Sequence, residues 1–323
     1  MDFHQLRVFV EVARQKSFSR AAEKIFLTQP TVSAHIKSLE KEIGTPLLVR
    51  GQRELQLTDA GKVLFQYAQQ LLNLEKKAVF AIQQEYHIIK GNLEIVASSV
   101  PSSYILPGLM KDFLKKYPLV TFSAKHWDTE QVFENILNFN YELGFAGEPV
   151  RSNKLNQIQL LKDNLILVAA ANVSLPGEKR TENKIIDLSS PLLEIDLKAY
   201  PVQEMFLKEP FVMRETGSAT RMIFENALKK FYGKTDMKLN VVAYLENQET
   251  IKEAVKAGLG LTVISHRAVE TELSLGLMKG YLLPDLQLER YLYLVYRSNS
   301  VLSPLSQAFL DHCIYFFKIA EEN

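Results

Sequence analysis

From Thr58 to Lys90 the chain contains no proline and a single glycine, Gly61. A run of that length without a breaker predicts one long helix. Leu64, Ala68, Leu71, Glu75, Ala78 and Ile82 recur along it at alternating spacings of four and three, a heptad-like seam interrupted by Glu75. A lone helix cannot bury such a seam. Either a partner helix covers it, or the helix lies along its own domain. Gly91 is expected to end the helix. The segment cuts the chain into two parts with different periodicities: helical before it, alternating strand and helix after it.

In the front part, the stretch LTQPTVSAHIKSLEKEIG at 27–44 places Val32, Ile36, Leu39 and Ile43 at spacings of four, three and four, one buried helical stripe. Thr28 suits the N-cap, Pro30 is tolerated in the first turn, and Gly44 stands where a left-handed C-cap belongs. Opposite the stripe lie Pro30, Ala34, Lys37 and Lys41, with Thr31 and Ser33 on the flanks. A helix that only faces solvent would carry long charged side chains from its first turn. This one is small and polar there, so it can approach a surface closely, and its lysines come later, within reach of phosphates. Before it, Phe3 to Ala13 reads as a first helix, and Ser19 is expected to cap a short second one, RAAEKIF, which leads through LTQ into the third. A short helix, a tight turn and an amphipathic helix make a helix-turn-helix. The following LLVRGQRELQLT reads as two short strands around Gly51, a wing with Arg50 and Arg53 near its tip, suited to phosphate or narrow minor-groove contact. Residues 1–90 carry 13 Lys/Arg against 9 Asp/Glu, while the rest carries 25 against 28. This modest bias is compatible with a nucleic-acid contact at the front.

The residues FxxVARQKSFSRAAEKIFLTQPTVSAHIKSLEKEIGTPLLVR, followed by LTDAGK at 57–62, resemble the winged helix-turn-helix of LysR-type transcriptional regulators. The resemblance implies that the start of the third helix reads bases. It implicates Gln29, Pro30 and Ala34, with Thr31, Ser33 and Lys37 nearer the phosphates and Arg50 and Arg53 on the wing. Glutamine can pair bidentately with adenine, and alanine can pack on a thymine methyl. Ala34 departs from the long polar residue often found after Ser33, and His35 falls at the edge of the buried stripe, a packing position. The resemblance also implies that the long helix pairs two subunits, that the assembly is a homodimer or homotetramer, and that the operator is a rough palindrome.

The back part alternates strands and helices: NLEIVASSV, YILPGLMKDFLKKYP, VTFSAKH, EQVFENILNF, YELGFAG, LILVAA, FVMRETGSATR, RMIFENALKKF, LNVVAYL, ETIKEAVKAGLG, LTVISH and ERYLYLVYR. That order predicts a mainly parallel sheet. The expected architecture is an N-terminal all-α winged helix-turn-helix (1–58), a linker helix (59–90) and a C-terminal α/β effector domain (91–323). The last resembles two lobes of the type II periplasmic-binding-protein kind, with lobe I at 92–162 and 268–323 and lobe II at 163–267.

Open α/β folds bind ligands beyond strand C-termini, at helix N-termini. Three such corners are legible: SSVPSS at 98–103, RETGSATR at 214–221 and NQE at 247–249. The expected ligand contacts are Ser99, Val100, Pro101, Ser102, Gly217, Ser218, Thr220 and Gln248. Arg214 and Arg221 could add charge or form pairs of their own. RETGSATR resembles the RExGSGTR corner of the cysteine- and carbon-fixation-type branch, which implies a small anionic or amino-acid-like effector. FLTQPTVSAHIKSLE is similar to regulators linked to selenium or sulfur metabolism in anaerobic bacteria.

Catalytic readings find little support. The six histidines are scattered, and neither HExxH nor GxSxG occurs. SLEK at 38–41 matches SxxK inside the DNA-reading helix, and AGLGL at 257–261 follows a helix rather than a strand, a C-cap turn and not a dinucleotide loop. One cysteine, Cys313, excludes an internal disulfide framework and a Cys-rich metal site. No enzyme activity, cofactor or metal is expected. The N-terminus lacks the features of a signal peptide, no window is long and apolar enough to span a membrane, and a cytoplasmic location is expected. The competing reading is a solute-sensing or protein-interaction module whose DNA contacts have degenerated.

Overall fold

A computed structural model describes the chain except residues 50–54, 84–88, 181–191, 198–205, 207, 234–238, 299 and 323. It divides into two compact units, one built on Met1–Ile89 and one on most of the remainder.

The first unit begins with α1 (Phe3–Gln15), opened by a capping box in which the Asp2 carboxylate accepts from the Gln5 amide and Gln5 accepts from the Asp2 amide. Helix α2 (Phe18–Lys24) is capped by Ser17, not by Ser19 as expected. Ser17 has the extended backbone an N-cap needs and its Oγ accepts from the Arg20 amide, whereas Ser19 already lies inside the helix. Phe26, at φ 56°, takes the corner that leads into α3 (Gln29–Ile43). Thr28 caps α3, and Gly44 closes it at φ 80°. Two short antiparallel strands follow, β1 (Leu48–Val49) and β2 (Gln56–Leu57), with Leu48 opposite Leu57. The wing tip, with Arg50 and Arg53, lies outside the described residues.

Helix α4 (Asp59–Gln83) is the predicted long helix. Gly91 is not its cap but the first residue of the next strand. The seam also divides differently from expectation. Ala68 is buried in the core of this unit with Phe9, Ile36 and Leu39, and Leu64 packs against that core. Glu75 bonds Arg7 of α1 at 2.7 and 2.8 Å, so its carboxylate belongs to an ion pair on the unit's own surface. Of the predicted seam, Leu71 is exposed, and it forms an apolar stripe with Val63, Tyr67 and Leu74, from 36% to 60% exposed.

The second unit opens with β3 (Gly91–Ala97), a π turn at Pro101–Ile105 and α5 (Leu106–Lys116), then β4 (Val120–His126), α6 (Thr129–Leu137) and β5 (Leu143–Ala146). Strand β6 (Leu155–Ala170) is far longer than the LILVAA run from which it was recognised. Beyond it come β7 (Glu178–Arg180), β8 (Leu192–Ile195), β9 (Phe211–Arg214), α7 (Ala219–Tyr232), β10 (Val241–Leu245), α8 (Gln248–Lys256), β11 (Thr262–Ser265), α9 (His266–Ser274), β12 (Met278–Leu282), β13 (Glu289–Arg297) and α10 (Pro304–Glu322).

Among the described residues, nine strands form a mixed sheet, not a mainly parallel one. β3 is parallel to β4 and β5, but β13 runs antiparallel to β5 and β6, and β11 and β12 run antiparallel to β6. The cause is β6, a strand about 50 Å long by its residue count. Its first half pairs with β13 and its second half with β11 and β12, so it belongs to both halves of the unit. Ala268, Val269 and Leu273 of α9 and Met278 of β12 share a core with Ile166 and Val168. β9 and β10 form a separate parallel pair, tied to β11 by a bridge between Phe211 and Leu261.

Candidate nucleic-acid interface and ligand cleft

Helix α3 buries Val32, Ile36 and Leu39, while Ile43 is exposed, so the buried stripe ends one turn earlier than its spacing suggests. The opposite face presents Gln29, Pro30, Ala34 and Lys37 to solvent, with Thr31 and Ser33 half-buried beside them. The first turn is held by Thr28, whose Oγ1 accepts from the Thr31 amide at 3.3 Å and lies 2.7 Å from the Thr31 hydroxyl. His35 is half-buried and edge-on to His4, with ring centroids 4.7 Å apart. Small side chains ahead of a lysine, on a helix fixed by a buried stripe, form a face that can enter a groove with its backbone close to the bases.

In the second unit, the three predicted corners meet in one cavity of about 20 Å³. Ser98, Ser99 and Val100 come from the end of β3, Ser218 and Thr220 from the start of α7, and Gln248 from the start of α8. Asp128, Thr129, Arg214, Ala219 and Arg290 complete the wall. Pro101, Ser102 and Gly217 do not line it. Pro101 is buried at the start of the π turn, and the Ser102 amide donates to the Ser98 carbonyl at 2.9 Å. Gly217 takes φ 92°, and a Cβ there would lie 3.7 Å from Asp128 Oδ2. These residues shape the turns that bring Ser99 and Ser218 forward.

Arg214 is buried and bridges two corners: one terminal nitrogen donates to Ser99 Oγ at 3.1 Å, while the guanidinium holds Glu215 through two bonds of 2.7 Å. His126 Nε2 lies 3.0 Å from the same Ser99 hydroxyl. Arg221 stands elsewhere, bonded to Glu225 and the Arg214 carbonyl and stacked over Tyr244 at 4.9 Å. A second buried pair joins Arg290 Nε to Asp163 Oδ2 at 2.8 Å; Arg290 also donates to Thr220 Oγ1, and Ser265 donates to Asp163 Oδ1. Burial holds the nearby Glu148 carboxyl above the usual carboxylate range, against the opposing pull of Arg151 and Arg290. Asp128 caps α6 by accepting from the Gln131 amide, with Gln131 reaching back to the Asp128 amide.

Asp128 and Thr129 were within reach of sequence reading, since DTEQ is a capping-box pattern following a strand. Arg290 carried no such signal, because its partners Asp163 and Thr220 are far from it along the chain.

Residues 3–62 match the family model of the bacterial regulatory helix-turn-helix protein, lysR family, and residues 89–317 match the LysR substrate binding domain. The HTH-type transcriptional activator CmpR of Synechocystis is 31% identical over 309 residues, covering 96% of this chain and 93% of that protein. The regulatory domain of Synechocystis CcmR, solved in complex with 2-PG, is 25% identical with a TM-score of 0.57, over 71% of this chain and 98% of that one. Full-length CbnR complexed with its target DNA shares the fold, with a TM-score of 0.61 at 18% identity over 98% of this chain and 99% of that one. With both family models matched in order along one chain, this protein belongs to the LysR family of DNA-binding transcriptional regulators, built from a helix-turn-helix domain and an effector-binding domain and not an enzyme.

Proposed function

We propose that the chain works in the cytoplasm as a homo-oligomeric regulator whose grip on a roughly palindromic operator is set by a small anionic effector. In this reading 1–58 reads DNA, 59–90 links subunits and 91–323 senses the effector, with the two lobes meeting along β6. Gln29, Pro30 and Ala34 face base edges, Thr31, Ser33 and Lys37 face the phosphates, and Arg50 and Arg53 reach the backbone from the wing. The exposed stripe Val63, Tyr67, Leu71 and Leu74 on α4 supports a second copy's helix as its cover.

The observation that carries the effector reading is the convergence of Ser99, Ser218, Thr220 and Gln248 from three separate corners on one cavity. Helix N-termini present free amides and positive dipole ends, which favour an anion. That CcmR was solved with 2-PG supports a small-molecule effector here. An effector acts only through different affinities for two arrangements of the assembly, with couplings of about 1–3 kcal/mol.

A footprint on genomic fragments at two salt concentrations, with and without small acids, tests this. The expected result is a protected palindrome that changes length or position with one acid. Arg50→Ala should weaken binding to all sequences and reduce the salt slope by about one. Gln29→Ala should relax preference at one base pair, a loss of about 1–3 kcal/mol in discrimination. A protein that protects no fragment at low salt would overturn the reading.

A further inference from the structure

The electrostatics of the cleft narrow the class of effector; the inference rests on the cleft being the effector site. A free cation on the wall would favour a multiply charged oxyanion over a singly charged one. Both guanidiniums on this wall are engaged with carboxylates, Arg214 with Glu215 and Arg290 with Asp163. Asp128 is the one carboxylate among the residues that line the cavity. Its Oδ1 is used in capping α6, and its Oδ2 points toward the Gly217 turn. Both arginine charges are thus offset by carboxylates behind them before any ligand enters. Attraction for an anion then falls to hydroxyls and helix N-termini, whose partial charges of about +0.5 each suit one negative charge better than two.

The second observation is Gln248. Its side chain is 8% exposed and lies on the wall, and Oε1 has no hydrogen-bond partner. A buried amide oxygen left unpaired is costly, and a donor on a ligand would satisfy it. Gln248 thus presents an unpaired acceptor to the cavity that Asp128 also lines, while Ser99, Ser218 and Thr220 bring hydroxyls to it.

We propose that the effector is a short carboxylate bearing a hydrogen-bond donor, hydroxyl or ammonium, on the neighbouring carbon. Its carboxylate sits against Ser99, Ser218 and Thr220, and its donor turns toward Gln248 and Asp128. Gln248 is a specificity-determining residue: a site with a buried acceptor to satisfy rejects an analogue that lacks the donor.

Calorimetric titration of the full chain with glycolate, glycine, acetate, sulfate and phosphate tests this. Glycolate or glycine should bind at least about tenfold more tightly than acetate, sulfate or phosphate. Gln248→Leu should erase that preference. Gln248→Glu, which keeps an acceptor, should retain it, and Asp128→Asn should weaken glycine more than glycolate. Each variant is first compared with the parent chain by circular dichroism and thermal unfolding, so that a misfolded protein is not counted. Acetate, sulfate or phosphate binding as tightly as glycolate and glycine, with Gln248→Leu silent, would overturn the proposal while leaving the cleft as the effector site. Binding that survives Thr220→Val unchanged would overturn the cleft reading itself, and with it the proposal. Failure of all five probes to bind would also overturn the proposal.

Discussion

At the scale of single residues, the effector unit depends on charges taken out of water. The Arg290 and Asp163 side chains are 6% and 0% exposed. Removing one partner leaves the other charge buried without compensation, which costs far more than a surface pair. Arg290→Ala should lower the unfolding free energy by about 3–5 kcal/mol in urea titrations. His266 gives a pH signature. It is buried, its Nε2 has no partner, and burial, with a lesser push from Arg267, holds its pKa below the usual histidine range against Glu270 and Asp163. Folded His266 stays neutral where the unfolded ring takes up a proton. Its contribution to stability is therefore complete above about pH 6.5 and drains away as pH falls toward the lowered value. Melting temperature should decline from pH 7 to pH 5, and His266→Leu should flatten that slope.

At the scale of elements, the wing and α4 are joined by a close approach that tolerates no side chain. Thr58 Oγ1 accepts from the Gly61 amide at 2.9 Å and donates to the Pro46 carbonyl at 2.8 Å, which draws the first turn of α4 onto the segment before β1. A Cβ at Gly61 would stand 2.0 Å from the Leu47 carbonyl oxygen. Gly61→Ala should destabilise the DNA-binding unit by about 1–3 kcal/mol or more, read by thermal unfolding, because backbone must shift to admit the methyl. The same glycine looks harmless in the sequence, where alanine would be the better helix former. Its place beside Leu47 is what forbids the exchange.

At the scale of the whole effector unit, β6 joins the strands at its two ends, and side chains far apart in the chain tie the corners of the cavity together. Besides Arg214 and Ser99, the Tyr104 hydroxyl of the π turn donates to Glu249 of α8 at 3.2 Å, and Glu249 is held in turn by Lys252, which also bonds Glu272 of α9. The wide π turn aims Tyr104 across the cleft, consistent with the use of such turns at functional sites. Tyr104→Phe removes one bond between the halves and little else. It should lower stability by about 0.5–1.5 kcal/mol in urea unfolding.

Much of this molecule was decided locally and was legible in the sequence. The Thr28 cap, the Val32–Ile36–Leu39 stripe and the Gly44 stop set α3, and the corners at 98–103, 214–221 and 247–249 announced themselves as hydroxyl- and amide-rich turns before helices. Capping, periodicity and turn chemistry act over a few residues, so a reader of the chain can recover them. Other features were settled only by packing. The polar first half of β6 becomes a strand because β13 pairs with it, which makes the sheet mixed. Leu64 and Ala68 face their own core, so the exposed stripe on α4 is Val63, Tyr67, Leu71 and Leu74. Asp163 finds Arg290 across the sheet, and the cleft thereby acquires two arginines already neutralised by carboxylates. The sequence by itself determined the hydroxyl- and amide-rich turns; the tertiary structure decided which charges around them are already paired, because long-range pairing of buried ions leaves no trace in local spacing.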